Sequence, residues 1–389
     1  MRIESPKSLC QKCLLILGLF LLMRFYVIEE LSGNFFYTNA SRMAFLVVLL
    51  LYLFKYKKIS IPIVLIFLYY LMISISTLLN GHSLRTLIMT AYPTIGLAML
   101  MEYYTKKDFK ILISSIALIF KVLLTLNIII YLVDPSRYGE YQYFLGVANQ
   151  MGVIYIVGIC CIYLDSKINK AKHSHLIFSF YLLLFSLANI FLFYSSNAKM
   201  AWIICLILYI VKGFKNVVKK FDFFSIIVGY AIFVYLIIFQ NIQVYFRDFI
   251  YNFFGKNVTF SGRTYIWENV IPIIKENLLL GNGMTESANI IFMNKIINSA
   301  YSMTGFFSSH NTYLQELYYG GFISLIPLVL FVLYIRGITK VKDECVVYIL
   351  IALIGILFVY IFEAVGYLGV FFLGMLLYCY ANYQKRRML

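Results

Sequence analysis

The residues with the clearest chemistry lie late in the chain. His310 and Asn311 stand side by side at the start of a membrane-length apolar run. Glu316 follows about one and a half helical turns on. A neutral imidazole near an outer surface can accept a hydroxyl proton at neutral pH. Upstream, Gly262-Arg263 opens the helix-like stretch GRTYIWENVIPIIKEN. A guanidinium keeps its charge and offers a planar fork that fits phosphate oxygens in pairs. A base for an alcohol and a cation for a departing phosphate are what group transfer from a phosphate leaving group requires.

The elements that must carry these groups follow from composition. The 389 residues are 62% hydrophobic and 13% charged. A soluble domain carries about 25% charged residues, so this is an integral membrane protein. The net charge of +16 does not indicate nucleic acid, because the lysines sit in short clusters between apolar runs. Apolar runs of spanning length fall at 9–28, 41–54, 61–79, 84–101, 110–133, 143–164, 175–194, 198–212, 223–240, 313–335, 345–361 and 364–381. The fold class expected is therefore all-α and polytopic, with about twelve transmembrane helices in one membrane domain.

Every second connection is basic. The clusters include Lys55, Lys57 and Lys58, then Lys106, Lys107 and Lys110, then Lys167, Lys170 and Lys172, and finally Lys385, Arg386 and Arg387. The positive-inside rule makes those connections and both termini cytoplasmic, in a bacterial inner membrane. Residues 1–11 lead into an apolar run without a small-residue cleavage site, so the first span is expected to stay in place. The long interval 241–312, between the ninth and tenth spans, then falls outside. Within it Ile266, Trp267, Val270, Ile271 and Ile274 share one helical face, as in a helix lying in the headgroup layer. Ile290, Ile291, Met293, Ile296 and Ile297 form a second such piece.

Sorting the cations by side singles out arginine. The inner clusters hold mostly lysine, with Arg2, Arg336, Arg386 and Arg387 the exceptions. The outer cations are Arg42, Arg85, Arg137, Arg247 and Arg263, with Lys199, Lys256, Lys275 and Lys295. Arg85 opens the fourth span and Lys199 the eighth. Snorkelling to headgroups is the bland alternative for each. Lys121 lies mid-span and must face protein or a water-filled cavity; a polar neighbour is its expected partner. Asn149, in FLGVANQMG, either bonds across helices or lines a cavity. His82 lies near Arg85, while His173 and His175 sit among inner lysines. The seven cysteines have no metal-ligand spacing and read as core residues. No Walker loop, G-x-G-x-x-G, H-E-x-x-H or D-x-D is present, so no cofactor is expected and none of these metal or nucleotide signatures supplies energy. On an outer face without nucleotides, the leaving group must arrive in the substrate, as in a lipid-diphosphate-linked sugar.

Several short motifs carry a family resemblance. They are Gly262-Arg263 with Trp267, Gly281-Asn282-Gly283, His310-Asn311 with Tyr313-Leu314, and Gly320-Gly321. FLGVANQMG and SSNAKMAW are weaker echoes. In this order, over roughly 140–336, the chain resembles the O-antigen polymerase and ligase superfamily, including Wzy-type polymerases of capsule and O-antigen assembly. The resemblance implies inverting, metal-independent glycosyl transfer, with His310 as base and Arg263 and Lys199 on the lipid diphosphate. The family usually has arginine where Lys199 stands, and lysine gives charge without the fork. Arg85 matches a basic residue near the fourth span. Asn311 and Asn149 complete the substrate-binding candidates. The implied partners are a polyprenyl-diphosphate-linked oligosaccharide, membrane lipids, and a flippase and chain-length regulator of the same pathway, with no nucleic acid. A ligase of the same superfamily is the nearest alternative. A carrier fits less well, because two-half carriers join their halves on the inner side. A metal-dependent enzyme would have to use Glu29 and Glu30.

Overall fold

The computed structural model describes the chain except residues 1–5, 26–32, 57, 136–141, 171–172, 255–256, 261, 286–307, 340–342, 366–368 and 389. The helices in chain order are α1 (Pro6–Met23), α2 (Gly33–Lys55), α3 (Ile61–Leu79), α4 (Arg85–Val133), α5 (Ala148–Asn169), α6 (Ser174–Leu187), α7 (Ser196–Ile210), α8 (Lys212–Val218) and α9 (Phe223–Ile238). Then come α10 (Arg247–Phe254), α11 (Arg263–Glu276), α12 (Thr312–Ile338), α13 (Glu344–Phe362) and α14 (Val370–Met388). The strands described are the short antiparallel pair β1 (Gln142–Tyr143) and β2 (Gly146–Val147), just before α5.

The protein is thus an all-α polytopic membrane protein. A helix lies within each expected apolar run, and the described helices that individually pass as spans are fewer than twelve. Seven described helices are long and apolar enough to cross a bilayer, or eight if the bent pair α7–α8 is one span. Two causes account for much of the difference. The fourth and fifth runs are two helices that meet at the non-helical Asp108, and the 49-residue α4 that contains both, more than twice the length of one crossing, counts once. The stretch Cys10–Met23 and α9 are apolar but shorter. The break at Asp108 has a local cause. Its Oδ1 accepts from the backbone N of Lys110 at 2.9 Å and of Ile111 at 3.3 Å, capping the second half. Lys106, Lys107 and Lys110 surround that break.

Ion pairs gather at this basic end. Lys167 meets Glu344 at 2.7 Å, and Lys106 meets the buried Glu102 at 2.5 Å. Asp222 caps α9 through the N and Oγ of Ser225, both at 2.8 Å, and pairs with Arg336 at 3.0 Å. Burial raises its pKa, but the Ser225 bonds and the Arg336 cation outweigh burial and hold the carboxyl below its usual range. The mid-span cation is matched as expected: Lys121 on α4 pairs with Asp165 on α5 at 3.0 Å.

The main core lies where α5 and α13, buried along nearly their whole length, pack against α4, α7 and α14. Gly152 of α5 lets α7 approach closely; a Cβ there would stand 2.9 Å from the Ala198 Cα. A second cluster joins α9, α11, α12 and the end of α13. It corrects the headgroup reading of α11. Ile266, Trp267, Val270 and Ile274 are buried rather than facing lipid, and the last three pack with Val234, Ile237, Leu314, Leu317 and Ile361. The second expected piece, around Ile290–Ile297, lies outside the described residues.

The glycine motifs interlock. In α12, Gly321 (φ 57°, ψ −163°) breaks the helix. The N–H groups of Phe322 and Ile323 leave their own helix and donate to Leu278 O at 3.0 Å and Leu279 O at 3.1 Å. The carbonyls they vacate, on Tyr318 and Tyr319, accept from Asn282 N at 2.6 Å and Gly283 N at 3.0 Å. Each freed polar group of a broken apolar helix thereby finds a partner, which a lipid environment demands. Asn80 Nδ2 to Gly281 O, at 3.1 Å, ties the clasp to α3.

Candidate functional site

The site grows from the start of α12 and the end of α13. Asn311 is the N-cap of α12. Its Oδ1 accepts from Leu314 N at 2.9 Å, while its Nδ2 donates to Ile361 O at 2.9 Å. It is fully buried, with both polar atoms engaged by the protein. An asparagine at a helix start serves first as a cap, and here Asn311 is also a clamp onto α13. Asn311→Ala is expected to lower stability by about 1–3 kcal/mol. Thermal unfolding in detergent measures this, and a changed substrate KM at unchanged stability would support the binding role.

Behind it, Ser309 is also fully buried. Its N donates to Gln315 Oε1 at 2.9 Å, and its carbonyl accepts from Trp267 Nε1 at 3.1 Å. Between these two fixed residues His310 takes a left-handed backbone, φ 47°. Such a conformation costs a non-glycine residue of order 1 kcal/mol and persists only where its surroundings hold it.

The His310 ring meets Glu363. Nδ1 lies 3.2 Å from Glu363 Oε2. The other oxygen, Oε1, pairs with Nη2 of Arg263. Arg263 is itself held at three points: Nε donates to Phe362 O at 2.7 Å, and Nη1 to Phe260 O at 3.0 Å, besides the Glu363 pair. Glu363 is only 5% exposed. A carboxylate buried that far needs a cation and further hydrogen bonds. It has Arg263 and the His310 ring, while its backbone carbonyl separately accepts from Thr312 Oγ1 at 2.8 Å. Arg263 and His310, expected from sequence, are thus brought together by a residue that sequence reasoning missed. Glu363 gave no signal beyond a lone acid between two apolar runs.

The other candidates stand apart from this group. Lys199 and Asn149 are half-buried near the same end of the bundle. Asn197 of α7 donates to Val359 O on α13 at 3.3 Å, one turn before Glu363, and Gly152, one turn past Asn149, packs on Ala198. No hydrogen bond joins Lys199 or Asn149 to Glu363, Arg263 or His310 among the described residues. Arg85 is exposed at the first residue of α4. Arg137, Glu29 and Glu30 lie outside the described residues.

A cavity of about 570 Å³ adjoins the site. Its walls come from the end of α1, α3, the first half of α4, α12, the end of α13 with Ala364 and Val365, and the start of α14. Arg85, Lys199, Arg263 and His310 are not among its lining residues. It reaches the group through Ser308, whose Oγ accepts from His310 N at 3.2 Å, and through Thr312.

Fold and site together define a multi-pass membrane protein with an imidazole, a carboxylate and a guanidinium joined at one end of the bundle. Residues 181–329 match the family model described as O-antigen ligase. That match supports the O-antigen polymerase and ligase superfamily, whose members are membrane enzymes of polysaccharide assembly using lipid-linked oligosaccharide. The matched segment contains Lys199, Arg263, the glycine clasp and His310; Glu363 lies beyond it. No curated protein and no solved structure matches the chain.

Proposed function

We propose that this protein polymerises polyprenyl-diphosphate-linked oligosaccharide repeat units into capsular polysaccharide or O-antigen. The reaction takes place at the outer face of the bacterial cytoplasmic membrane, by inverting glycosyl transfer. The observation that carries this reading is the single carboxylate, Glu363, shared by His310 and Arg263 from segments 53 and 100 residues away.

An acceptor hydroxyl attacks the anomeric carbon as the bond to the diphosphate oxygen breaks. With Nδ1–H directed at Glu363, His310 presents the lone pair on Nε2 to the hydroxyl proton. The carboxylate then steadies the imidazolium that forms. Arg263 fixes Glu363 and keeps the second hydrogen on each of Nη1 and Nη2 for the departing diphosphate. Lys199 adds charge near the same end. A flippase supplies the substrate and a chain-length regulator sets the product size.

The test is direct. The purified protein in nanodiscs receives lipid-linked repeat units extracted from the parent bacterium with this gene deleted. A ladder of lengths is expected. One larger product on a different acceptor would establish the second reading, a ligase, which the description of the matching family favours. Neither product would overturn both. In the same assay Arg263→Lys is expected to lose about tenfold or more of the activity, because one ammonium cannot reach Phe260 O, Phe362 O and Glu363 together. Full activity would reduce Arg263 to a charge anchor.

A further inference from the structure

The cavity beside the site has a composition of its own. Its wall carries Tyr69, Tyr70 and Tyr360 rings, the Thr94 hydroxyl, the Gln315 amide and the Glu316 carboxyl. Arg24 and Glu316 are the charged residues among those described as lining it. Tyr69 donates its hydroxyl to Glu316 Oε2. Oε1 of Glu316 has no protein partner among the described residues, and Glu316 is half-buried where it lines the cavity. Tyr70 donates to Thr94 at 3.1 Å, fixing a second ring against the wall.

These groups select among possible occupants. A polyprenyl chain would be matched by an unbroken apolar wall, and it would leave a carboxyl oxygen unsatisfied. A diphosphate would find one cation there, Arg24, whose Nη1 donates to Met89 O, and would meet like charge at an ionised Glu316. A sugar satisfies both kinds of wall: its hydroxyls donate to a carboxyl oxygen, while its C–H faces lie on aromatic rings. The volume falls within the range of about 300–1,000 Å³ typical of small-ligand sites.

We propose that this cavity is a glycan chamber: it receives sugar residues of the repeat unit, and Glu316, held by Tyr69, reads their hydroxyls. The proposal rests on the transferase reading and adds a specificity to it. The sugar against Glu316 presents hydrogen-bond donors and no carboxylate. Ser308 and Thr312 belong both to the chamber wall and to the hydrogen bonds around His310 and Glu363, so a sugar seated there lies next to the proposed base.

The test uses the full-length protein in nanodiscs and two probes from the gene-deleted parent strain. One is the repeat-unit glycan freed from its lipid by mild acid, which carries sugars without diphosphate. The other is polyprenyl diphosphate without sugar. Wild-type protein is expected to bind both. Glu316→Gln is expected to weaken the glycan about 10- to 100-fold and to leave polyprenyl diphosphate unchanged. Tyr69→Phe keeps the ring and removes the hydroxyl that turns the carboxyl; a severalfold loss for the glycan is expected, and this variant decides if Glu316→Gln does not accumulate. Wild-type protein that makes polymer but binds no free glycan overturns the chamber and leaves the transferase reading standing. Unchanged glycan affinity in the variants has the same consequence; if thermal stability falls, it identifies the Tyr69–Glu316 pair as an interhelical clamp. Loss of polyprenyl diphosphate binding instead makes the cavity a carrier pocket and overturns the chamber. A wild type that binds neither probe and makes neither polymer nor a single larger product overturns the transferase reading as well.

Discussion

Alanine in place of His310 is expected to lower product formation by about 10²–10⁴-fold, the usual contribution of a positioned general base. The protein itself should remain folded. The His310 side chain is 29% exposed and makes no part of either hydrophobic cluster, while the cap on α12 belongs to Asn311. The left-handed backbone calls for a control. His310→Asn accepts that conformation more readily, yet cannot act as the base. If backbone strain alone caused the loss, asparagine would restore activity; if the imidazole is required, both variants fail alike. Glu363→Gln should produce a loss of the same kind, because the amide cannot steady an imidazolium as the carboxylate does. Combining His310→Ala with Glu363→Gln should then cost little more than His310→Ala alone, as in groups that act as one unit. Wild-type rates from His310→Ala in the nanodisc assay would remove the ring from the chemistry.

Gly321→Ala is expected to prevent accumulation of folded protein. Its backbone, φ 57° and ψ −163°, lies in a region open essentially to glycine alone. A Cβ there would stand 2.4 Å from Leu279 O, an atom that accepts one of the clasp hydrogen bonds. Neither side can yield, because both are backbone. Gly281→Ala meets the same obstacle from the facing turn, with its Cβ 2.6 Å from Gly321 N. Fluorescence-detected size exclusion of a tagged protein gives the answer: a monodisperse, wild-type-level peak from Gly321→Ala would show that the break is dispensable.

Helix placement was legible because length and charge agree: apolar runs of spanning size alternate with lysine clusters, and a helix lies within each run. The break between the fourth and fifth runs was legible too: Asp108 stands among Lys106, Lys107 and Lys110 between two apolar runs, and it caps the second of the two helices in α4. At the site, His310 and Arg263 could be singled out by residue type and by their position beside a long polar interval. Glu363 could not. Its role depends on two partners remote in sequence, and a single acid between apolar runs reads as a loop end. Asn311 was singled out, but its cap on α12 and its bond to Ile361 O were not legible, because a capping asparagine and a ligand-binding one are the same letter. For α11, periodicity established one apolar face but not whether lipid or protein covers it.

The exchange of hydrogen bonds between Leu278–Gly283 and the break in α12 has a bearing on engineering. Grafting the segment between α9 and α12 of one such protein onto another would separate backbone donors from acceptors unless residues 277–284 travelled together with the whole of α12. The smallest transplantable module is therefore a loop and its following helix, with junctions set ahead of α11 and beyond Ile338.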